Sequence, residues 1–144
     1  MITMARKADQ DVMGVLMAKL WPEHSPEGMA REAAALMEKT DAAFFLKWEE
    51  DKAVGFAQCQ LRHDYVEGCR SSPVGYLEGI YVEETHRLRG IARELLNACE
   101  NWVKEKGCRE FASDYTLDNA QSHNFHMHAG FEEANRIICF VKRV

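Results

Sequence analysis

The stretch Gly75–Ala92 constrains the fold most, because it predicts a strand, a tight turn and the start of a helix in direct succession. Its first half is rich in strand-forming residues, interrupted by the carboxylate of Glu78 and by Gly79. From Ile91 to Val103, apolar residues recur at the helical period. We therefore expect a mostly buried strand that leads into an amphipathic helix.

The junction between this strand and this helix has the composition of an anion site. Arg87 and Arg89 precede Gly90, and the small residue Ala92 follows in the first helical turn. A helix N-terminus presents unpaired N–H groups and the positive end of the helix dipole. Small residues let a pyrophosphate approach these groups, and the arginines offset its charge. The alternative is an ordinary helix start with a solvated basic turn, because this spacing occurs by chance in many helices.

The spacing Arg87-x-x-Gly90-x-Ala92 after a strand matches the acyl-CoA signature of the GNAT superfamily of N-acetyltransferases. Longer runs resemble one subgroup of that superfamily, the aminoglycoside 6′-N-acetyltransferases. The resemblance extends from Trp21 to the C-terminus. The runs that carry it are Tyr65–Gly68, Ser72–Gly75, Leu77–Val82, Phe111–Asp114 and Leu117–Asn119.

This resemblance implies an α/β fold with a mixed central sheet, in which antiparallel N-terminal strands precede a splayed parallel pair and about four helices flank the sheet. It also implies direct transfer of acetyl from acetyl-CoA to the 6′-amine of an aminoglycoside in a ternary complex, which confers antibiotic resistance. Ile80 and Val82 would bind pantetheine through their main chain, and the N–H groups from Arg87 to Ala92 would hold the pyrophosphate. The residues assigned to the cofactor are Ile80, Tyr81, Val82, Arg87, Leu88, Arg89, Gly90, Ile91, Ala92 and Asn119.

Two carboxylates are candidates for the chemistry. An amine must lose a proton to attack a thioester, so a carboxylate acting directly or through water is a suitable base, and it also orients a cationic amine. Glu78 in the central strand is the first candidate. Asp114 is the second, because it follows the predicted strand Arg109–Ser113 at the end where open α/β sheets place their ligands.

His126 is a candidate proton donor for the leaving thiolate. Many members of the superfamily have tyrosine in the pattern Leu-Tyr-x-x-x-Gly-Phe, and this chain has histidine at that position within Phe125–Phe131. Histidine can also donate a proton. His123, His126 and His128 do not predict a metal site. Their spacings do not place three side chains on one helix face, and no carboxylate or cysteine completes the set.

The substrate assignment rests on acidic and aromatic residues. Trp21 and Tyr65 offer apolar walls for a sugar ring, and the acidic side chains attract ammonium groups. Trp21 has an alternative role as a hydrophobic plug that closes a helix end. The residues assigned to the aminoglycoside are Trp21, His24, Tyr65, Glu78, Asp114 and Glu133.

Composition limits the partners. The 144 residues suffice for one domain, residues 1–144, and the net charge of −5 with a pI near 5.7 argues against nucleic acid or an anionic membrane and suits a cationic substrate. Five cysteines without a C-x-x-C pair predict free thiols in the cytoplasm. We expect no signal peptide or membrane span, because the N-terminus lacks an apolar core and no run approaches 18 apolar residues.

The rest of the chain predicts alternating strands and helices. Within the strand Ala53–Arg62, apolar positions change parity between Phe56 and Ala57, which indicates a bulge or burial on both faces. The predicted elements are a strand at Met1–Arg6, helices at Asp9–Leu20, Glu27–Lys39 and Asn119–Ala129, a loop at Trp21–Pro26, a hairpin of Ala42–Glu49 with Ala53–Arg62, and a final strand or strand pair at Phe131–Lys142.

Two other classes of function remain open at this point. One is a GNAT acetyltransferase that acts on a polyamine or on protein N-termini. The other is a non-catalytic acyl-CoA sensor, which would keep the anion site and dispense with Glu78 and Asp114. The resembling subgroup is commonly dimeric, so we expect a homodimer in which the apolar segment Ile137–Val141 is exchanged or paired.

Overall fold

A five-stranded mixed sheet forms the centre of the protein, whose computed structural model describes residues 1–144. The strands lie in the order β1-β2-β3-β4-β5. The first four pair antiparallel, and β4 and β5 pair in parallel. The strands are β1 (Ile2–Met4), β2 (Ala42–Glu49), β3 (Lys52–Arg62), β4 (Val74–Val82) and β5 (Phe111–Ser113).

Four α-helices accompany the sheet, and the predicted α/β architecture is confirmed. Their ends differ from the predicted ones by at most two residues. None of them combines the length and the apolar character needed to cross a membrane. The helices are α1 (Gln10–Leu20), α2 (Pro26–Met37), α3 (Ile91–Glu105) and α4 (Ala120–His128), with short 3₁₀ turns at Lys7–Asp9 and Glu84–His86.

The sheet is covered on both faces. Successive residues of a strand point to opposite faces, and in β2 Phe44 packs with α1 and α2, whereas Phe45 packs with α3. The middle strand β3 is therefore buried without interruption from Ala53 to Cys59. On its side, α3 buries the apolar stripe that its sequence predicts, namely Ile91, Leu95, Leu96, Cys99, Trp102 and Val103.

A bulge interrupts the pairing of β2 with β3. Lys47 lies opposite Gly55 and Trp48 lies opposite Ala53, so Val54 is the extra residue of β3. An extra residue turns the following side chains to the other face. This bulge and the burial of both faces together account for the parity change predicted in β3.

A second bulge falls in β4. Gln58 lies opposite Gly79 and Cys59 lies opposite Leu77, which leaves Glu78 as the extra residue. Bulges bend a strand and redirect a side chain, and they are frequent next to active sites. The only carboxylate of this strand thus occupies its irregular position.

The parallel pairing of β4 with β5 is short. It joins Gly75 to Phe111 and ends where Leu77 lies opposite Ser113. β5 stops there, whereas β4 continues to Val82 with β3 on one side and no strand on the other. This arrangement confirms the splayed strand pair and leaves one edge of β4 open beyond Leu77.

The predicted final strand at Phe131–Lys142 is wrong, because residues 131–144 form no helix or strand. Phe131 packs on Phe111 at 5.9 Å between ring centroids, and Asn135 donates to the Glu67 carboxylate at 2.9 Å. From Ile137 to Val141 the large apolar side chains are 68% to 91% exposed. A strand needs a neighbouring ladder, and no strand of the same chain pairs with this segment.

Candidate active site

The loop before α3 is shaped to hold an anion. Leu88 and Gly90 have φ angles of 62° and 81°, in the left-handed region. The N–H groups of Leu88, Arg89 and Gly90 donate to no acceptor of the chain. A Cβ placed on Gly90 would meet nothing within 4 Å, so open space lies in front of the helix N-terminus. Left-handed residues in such a loop gather N–H groups into a concave nest that binds phosphate.

Two arginines fix this nest to the sheet. The Arg87 guanidinium donates to the carbonyl of Val82 at 2.9 Å and lies over the Tyr81 ring at 5.6 Å. Arg89 pairs with Glu49 of β2 at 2.8 Å. Both positive charges therefore remain beside the nest while their side chains tie it to β2 and β4.

A third arginine was not predicted from the sequence. Arg93 lies in the first turn of α3 and donates to the carbonyl of His128 at the end of α4. Its spacing in the chain belongs to the exposed face of an amphipathic helix and gives no sign of this contact. Ile91 is buried in the core, so it can offer the nest only its main chain.

The remaining cofactor candidates lie on β4 and at α4. Ile80, Tyr81 and Val82 pair with β3 on one side and face the open edge on the other. The carbonyl of Val82 is already occupied by Arg87. Asn119 caps α4, with its side-chain oxygen accepting from the N–H of Ser122 at 3.0 Å.

Glu78 is paired with an arginine that sequence reasoning missed. Arg62, the last residue of β3, donates to both carboxylate oxygens of Glu78, at 2.9 and 3.1 Å. The same guanidinium lies flat over the Tyr76 ring, 3.4 Å from its centroid. Only the register of β3 against β4 brings Arg62 and Glu78 together, and this register depends on the bulge.

Asp114 is bound by the hydroxyl of Tyr76, which donates to its carboxylate. Burial and, after it, this hydrogen bond raise the pKa of the Tyr76 hydroxyl well above its ordinary value, so Tyr76 remains a donor. Asp114 itself is exposed and directly follows β5, as predicted. Glu78 and Asp114 are therefore joined by a continuous chain of contacts through Arg62 and Tyr76.

His126 is buried and both of its ring nitrogens have partners. Nδ1 lies 2.7 Å from the carbonyl of Ser122, which can only accept, so Nδ1 carries the proton. Nε2 lies 2.7 Å from the hydroxyl of Ser113. Because Ser113 is the last residue of β5, its hydroxyl connects His126 to the point where β4 and β5 separate. Ser113 was not a candidate from the sequence, where nothing distinguishes it from a strand-end serine.

Comparison with known proteins agrees with this geometry. The profile of the acetyltransferase (GNAT) family matches residues 6–131. The chain belongs to the GNAT acetyltransferase family. The match includes the nest, both carboxylates and His126, and it ends where the last helix gives way to the irregular C-terminal segment.

Relatives within the GNAT family share a name. The aminoglycoside N(6′)-acetyltransferase type 1 of Salmonella typhimurium is 41% identical over 128 residues, which are 89% of this chain and 88% of that protein. A structure of AAC(6′)-Iy with the bisubstrate analogue CoA-S-monomethyl-acetylneamine is 38% identical with a TM-score of 0.95, covering 100% of this chain and 98% of that one. The apo enzyme AAC(6′)-IG of Acinetobacter haemolyticus is 36% identical with a TM-score of 0.94, covering 100% and 99%.

The substrate candidates of this GNAT protein are spread over several surfaces. Trp21 packs on Phe56 at 6.1 Å, and its ring lies 2.6 Å from where a Cβ on Gly79 would be. These contacts match a plug beside the Glu78 bulge. Tyr65 is 77% exposed on the loop after β3.

His24 and Glu133 have charged partners other than Glu78 and Asp114. His24 is exposed beside Glu23, at 3.6 Å. A hydrogen bond from Arg136 holds Glu133 and lowers its pKa. Neither residue makes a hydrogen bond to Glu78 or Asp114. The chain brings together no group of three or more histidine, cysteine, aspartate or glutamate side chains that is able to hold a metal ion.

We predict that Gly90→Val weakens acetyl-CoA binding by about tenfold or more, equivalent to about 1.4 kcal/mol. The branched side chain stands in the open space before the helix and disfavours the left-handed backbone that shapes the nest. Isothermal titration calorimetry with acetyl-CoA measures the effect.

Gly107→Val is the matched control for this variant. Gly107 has a φ of 84°, also faces open space, and lies beyond the opposite end of α3. Both variants should lose similar thermal stability because they carry the same backbone strain. Parental affinity in Gly90→Val, or an equal loss of binding in Gly107→Val, would show that the nest is not the phosphate site.

Proposed function

We propose that this GNAT protein transfers the acetyl group of acetyl-CoA to the 6′-amine of aminoglycoside antibiotics and so confers resistance. The observation that carries the proposal is the position of Glu78. This bulged carboxylate lies where β4 and β5 separate, and the anion nest lies in the loop that follows β4. The relative named aminoglycoside N(6′)-acetyltransferase, 41% identical over 89% of the chain, supports the choice of substrate.

Acetyl-CoA would bind along β4 and the loop that follows it. The nest and the N-terminus of α3 hold its pyrophosphate, and the open edge of β4 offers main-chain groups at Ile80 to pantetheine. A strand N–H at this edge also polarises the thioester carbonyl as negative charge develops on its oxygen. The thioester then lies where β4 and β5 separate, beyond the pair of Leu77 with Ser113, since the parallel pairing ends there.

Glu78 would accept the proton of the substrate ammonium, directly or through water. The freed amine attacks the thioester carbon. Its nitrogen then loses a second proton to water, and the tetrahedral intermediate collapses as the carbon–sulfur bond breaks. The thiolate takes a proton that reaches it from water through His126 and the hydroxyl of Ser113, which lies 2.7 Å from Nε2. Asp114 binds a second ammonium group beside Glu78.

The 6′-amine suits this arrangement because it lies on a flexible methylene. Such an amine enters a narrow cleft between two strands, which an amine attached directly to a ring cannot do as readily. Kanamycin and tobramycin should therefore be acetylated at this position. Congeners with a 6′-hydroxyl should bind and react slowly, since a neutral hydroxyl is a weaker nucleophile.

We expect thiol release from acetyl-CoA in the presence of kanamycin or tobramycin, and little release with spermidine or a peptide N-terminus. Mass spectrometry and NMR of the product locate the acetyl group. Acetyl on a ring amine would exclude the 6′ assignment and leave the acetyltransferase assignment intact. Faster release with spermidine or the peptide would instead favour the alternative substrates, and no release with any amine would favour a sensor.

We predict that Glu78→Gln lowers kcat by about 10²-fold, within the usual contribution of a general base, while the Kd for acetyl-CoA stays unchanged. The Glu78 carboxylate accepts the proton of the amine and does not contact the nest. Steady-state kinetics and calorimetry separate the two effects. Glu32→Gln, an exposed substitution on α2, is the control. An unchanged kcat in Glu78→Gln would remove Glu78 from the mechanism.

The protein is also proposed to form a homodimer through its C-terminal segment. Ile138 and Phe140 are 81% and 91% exposed, on a segment without a strand partner. The outer edge of β5 is likewise unpaired, at the end of the sheet. A second copy that supplied this segment would complete both surfaces.

Light scattering coupled to size-exclusion chromatography should give twice the chain mass of 16.5 kDa. We expect Phe140→Asp with Ile138→Asp to shift the mass to that of one chain, because a charge disfavours the apolar contact. Val15→Asp on α1, where the valine is 47% exposed, should leave the dimer intact. A monomeric parent would refute the proposal.

The site of action is proposed to be the cytoplasm, with residues 1–144 as one acetyltransferase domain. All five cysteines are free, as thiols are in a reducing compartment. Cell fractionation followed by thiol alkylation tests this placement.

A further inference from the structure

The Arg62 guanidinium lies at the carboxylate oxygens of Glu78, where the substrate ammonium must bind in the proposed reaction. The Arg62 side chain donates two hydrogen bonds to Glu78 and makes no other hydrogen bond. A substrate ammonium that is to lose its proton to Glu78 must approach the same carboxylate oxygens. Arg62 and the substrate therefore compete for one partner.

The surroundings of Arg62 allow it to give way. Its side chain is 43% exposed, at the end of β3 and next to an exposed loop, whereas the Glu78 side chain is 19% exposed. An ion pair with one partner this accessible is weak enough for another cation to replace it. The carboxylate is the fixed member of the pair and the arginine is the movable one.

Tyr76 offers the guanidinium a place that does not depend on Glu78. The centroid of its ring lies 3.4 Å from the central carbon of the guanidinium, so the two planes are in contact. A cation over an aromatic face is stabilised by the ring quadrupole. Tyr76 is itself fixed by burial and by its hydrogen bond to Asp114. Arg62 can thus release Glu78 and keep its contact with the ring.

We propose that Arg62 is an internal competitor for the amine site, which occupies Glu78 in the substrate-free enzyme and yields it to the substrate ammonium. This inference rests on the proposed function, since it takes Glu78 as the partner of the amine. Arg62 thereby determines apparent affinity without taking part in proton transfer. The exchange replaces one cation by another, so the charge beside Glu78 is balanced before and after binding.

The effect of Arg62 on the apparent Kd for the aminoglycoside follows from the fraction of molecules in which Glu78 is not paired with Arg62. The apparent Kd is the intrinsic Kd divided by that fraction. An exposed ion pair changes an equilibrium by about twofold to fivefold, so removal of Arg62 should tighten aminoglycoside binding by about the same factor. The kcat should not change, because Arg62 has left Glu78 in the reacting complex.

The test measures kanamycin binding to the CoA complex by calorimetry, together with steady-state kinetics. We expect Arg62→Gln to lower the Kd and the KM for kanamycin about twofold to fivefold at unchanged kcat. Arg62→Lys keeps the charge and loses the two-pronged contact, so its values should fall between the parent and Arg62→Gln. Arg31→Gln on α2 makes the same charge change on an exposed face and should match the parent.

A double variant separates competition at Glu78 from a general charge effect. In the Glu78→Gln background, Arg62→Gln should not improve kanamycin binding, because the contested carboxylate is absent. An equal gain in that background would mean that Arg62 acts only through its long-range field. A lower kcat in Arg62→Gln would mean that the arginine orients Glu78 during turnover. Either result overturns the proposal.

Failure of the inference is distinguishable from failure of the proposed function. If the parent neither binds nor acetylates kanamycin, the substrate assignment is wrong and the competitor loses its basis. If the parent acetylates kanamycin at the 6′-amine and Arg62→Gln leaves the Kd and KM unchanged, the function stands and the competitor is refuted. Thermal unfolding of each variant confirms that it is folded.

Discussion

The short parallel pairing of β4 with β5 is the constraint on which the rest of the site depends. It joins only the stretch from Gly75 to Leu77 with Phe111–Ser113. Its end leaves a strand edge unpaired and places the residues after β5 beside that edge. A longer β5 would satisfy the edge of β4 with protein and leave no room for another extended chain. The incomplete sheet therefore keeps this edge of β4 available to another extended chain.

Packing on the α3 side holds this incomplete sheet in shape. The side chain of Val103 lies against the backbone of Gly75 and would overlap a Cβ there, so only glycine fits at this position. The helix can therefore lie close to β4 just before the two strands separate. Since the nest directly precedes α3, the same packing determines where the nest lies relative to the bulge at Glu78.

Much of this structure was readable from the sequence. Hydrophobic period, caps and turn residues predicted the helices and strands that the structure contains to within two residues at each end, because these signals act over a few neighbours. The nest was predicted from Arg87, Gly90 and Ala92 for the same reason. The family resemblance supplied the splay of the parallel pair, which no local pattern shows.

The contacts between distant residues were not readable. Arg62 reaches Glu78, and Ser113 reaches His126, through strand register and helix placement that a single sequence does not specify. The final strand was predicted from apolar residues that favour β-structure, such as Ile138. That propensity is real, but a strand exists only with a partner, and the chain by itself provides none.

The contact of Arg93 with the carbonyl of His128 joins the start of one helix to the end of another. α3 begins at the nest, and α4 carries His126. This hydrogen bond therefore ties the first turn of α3 to the end of α4. A displacement of either helix is therefore transmitted to the other through this one hydrogen bond.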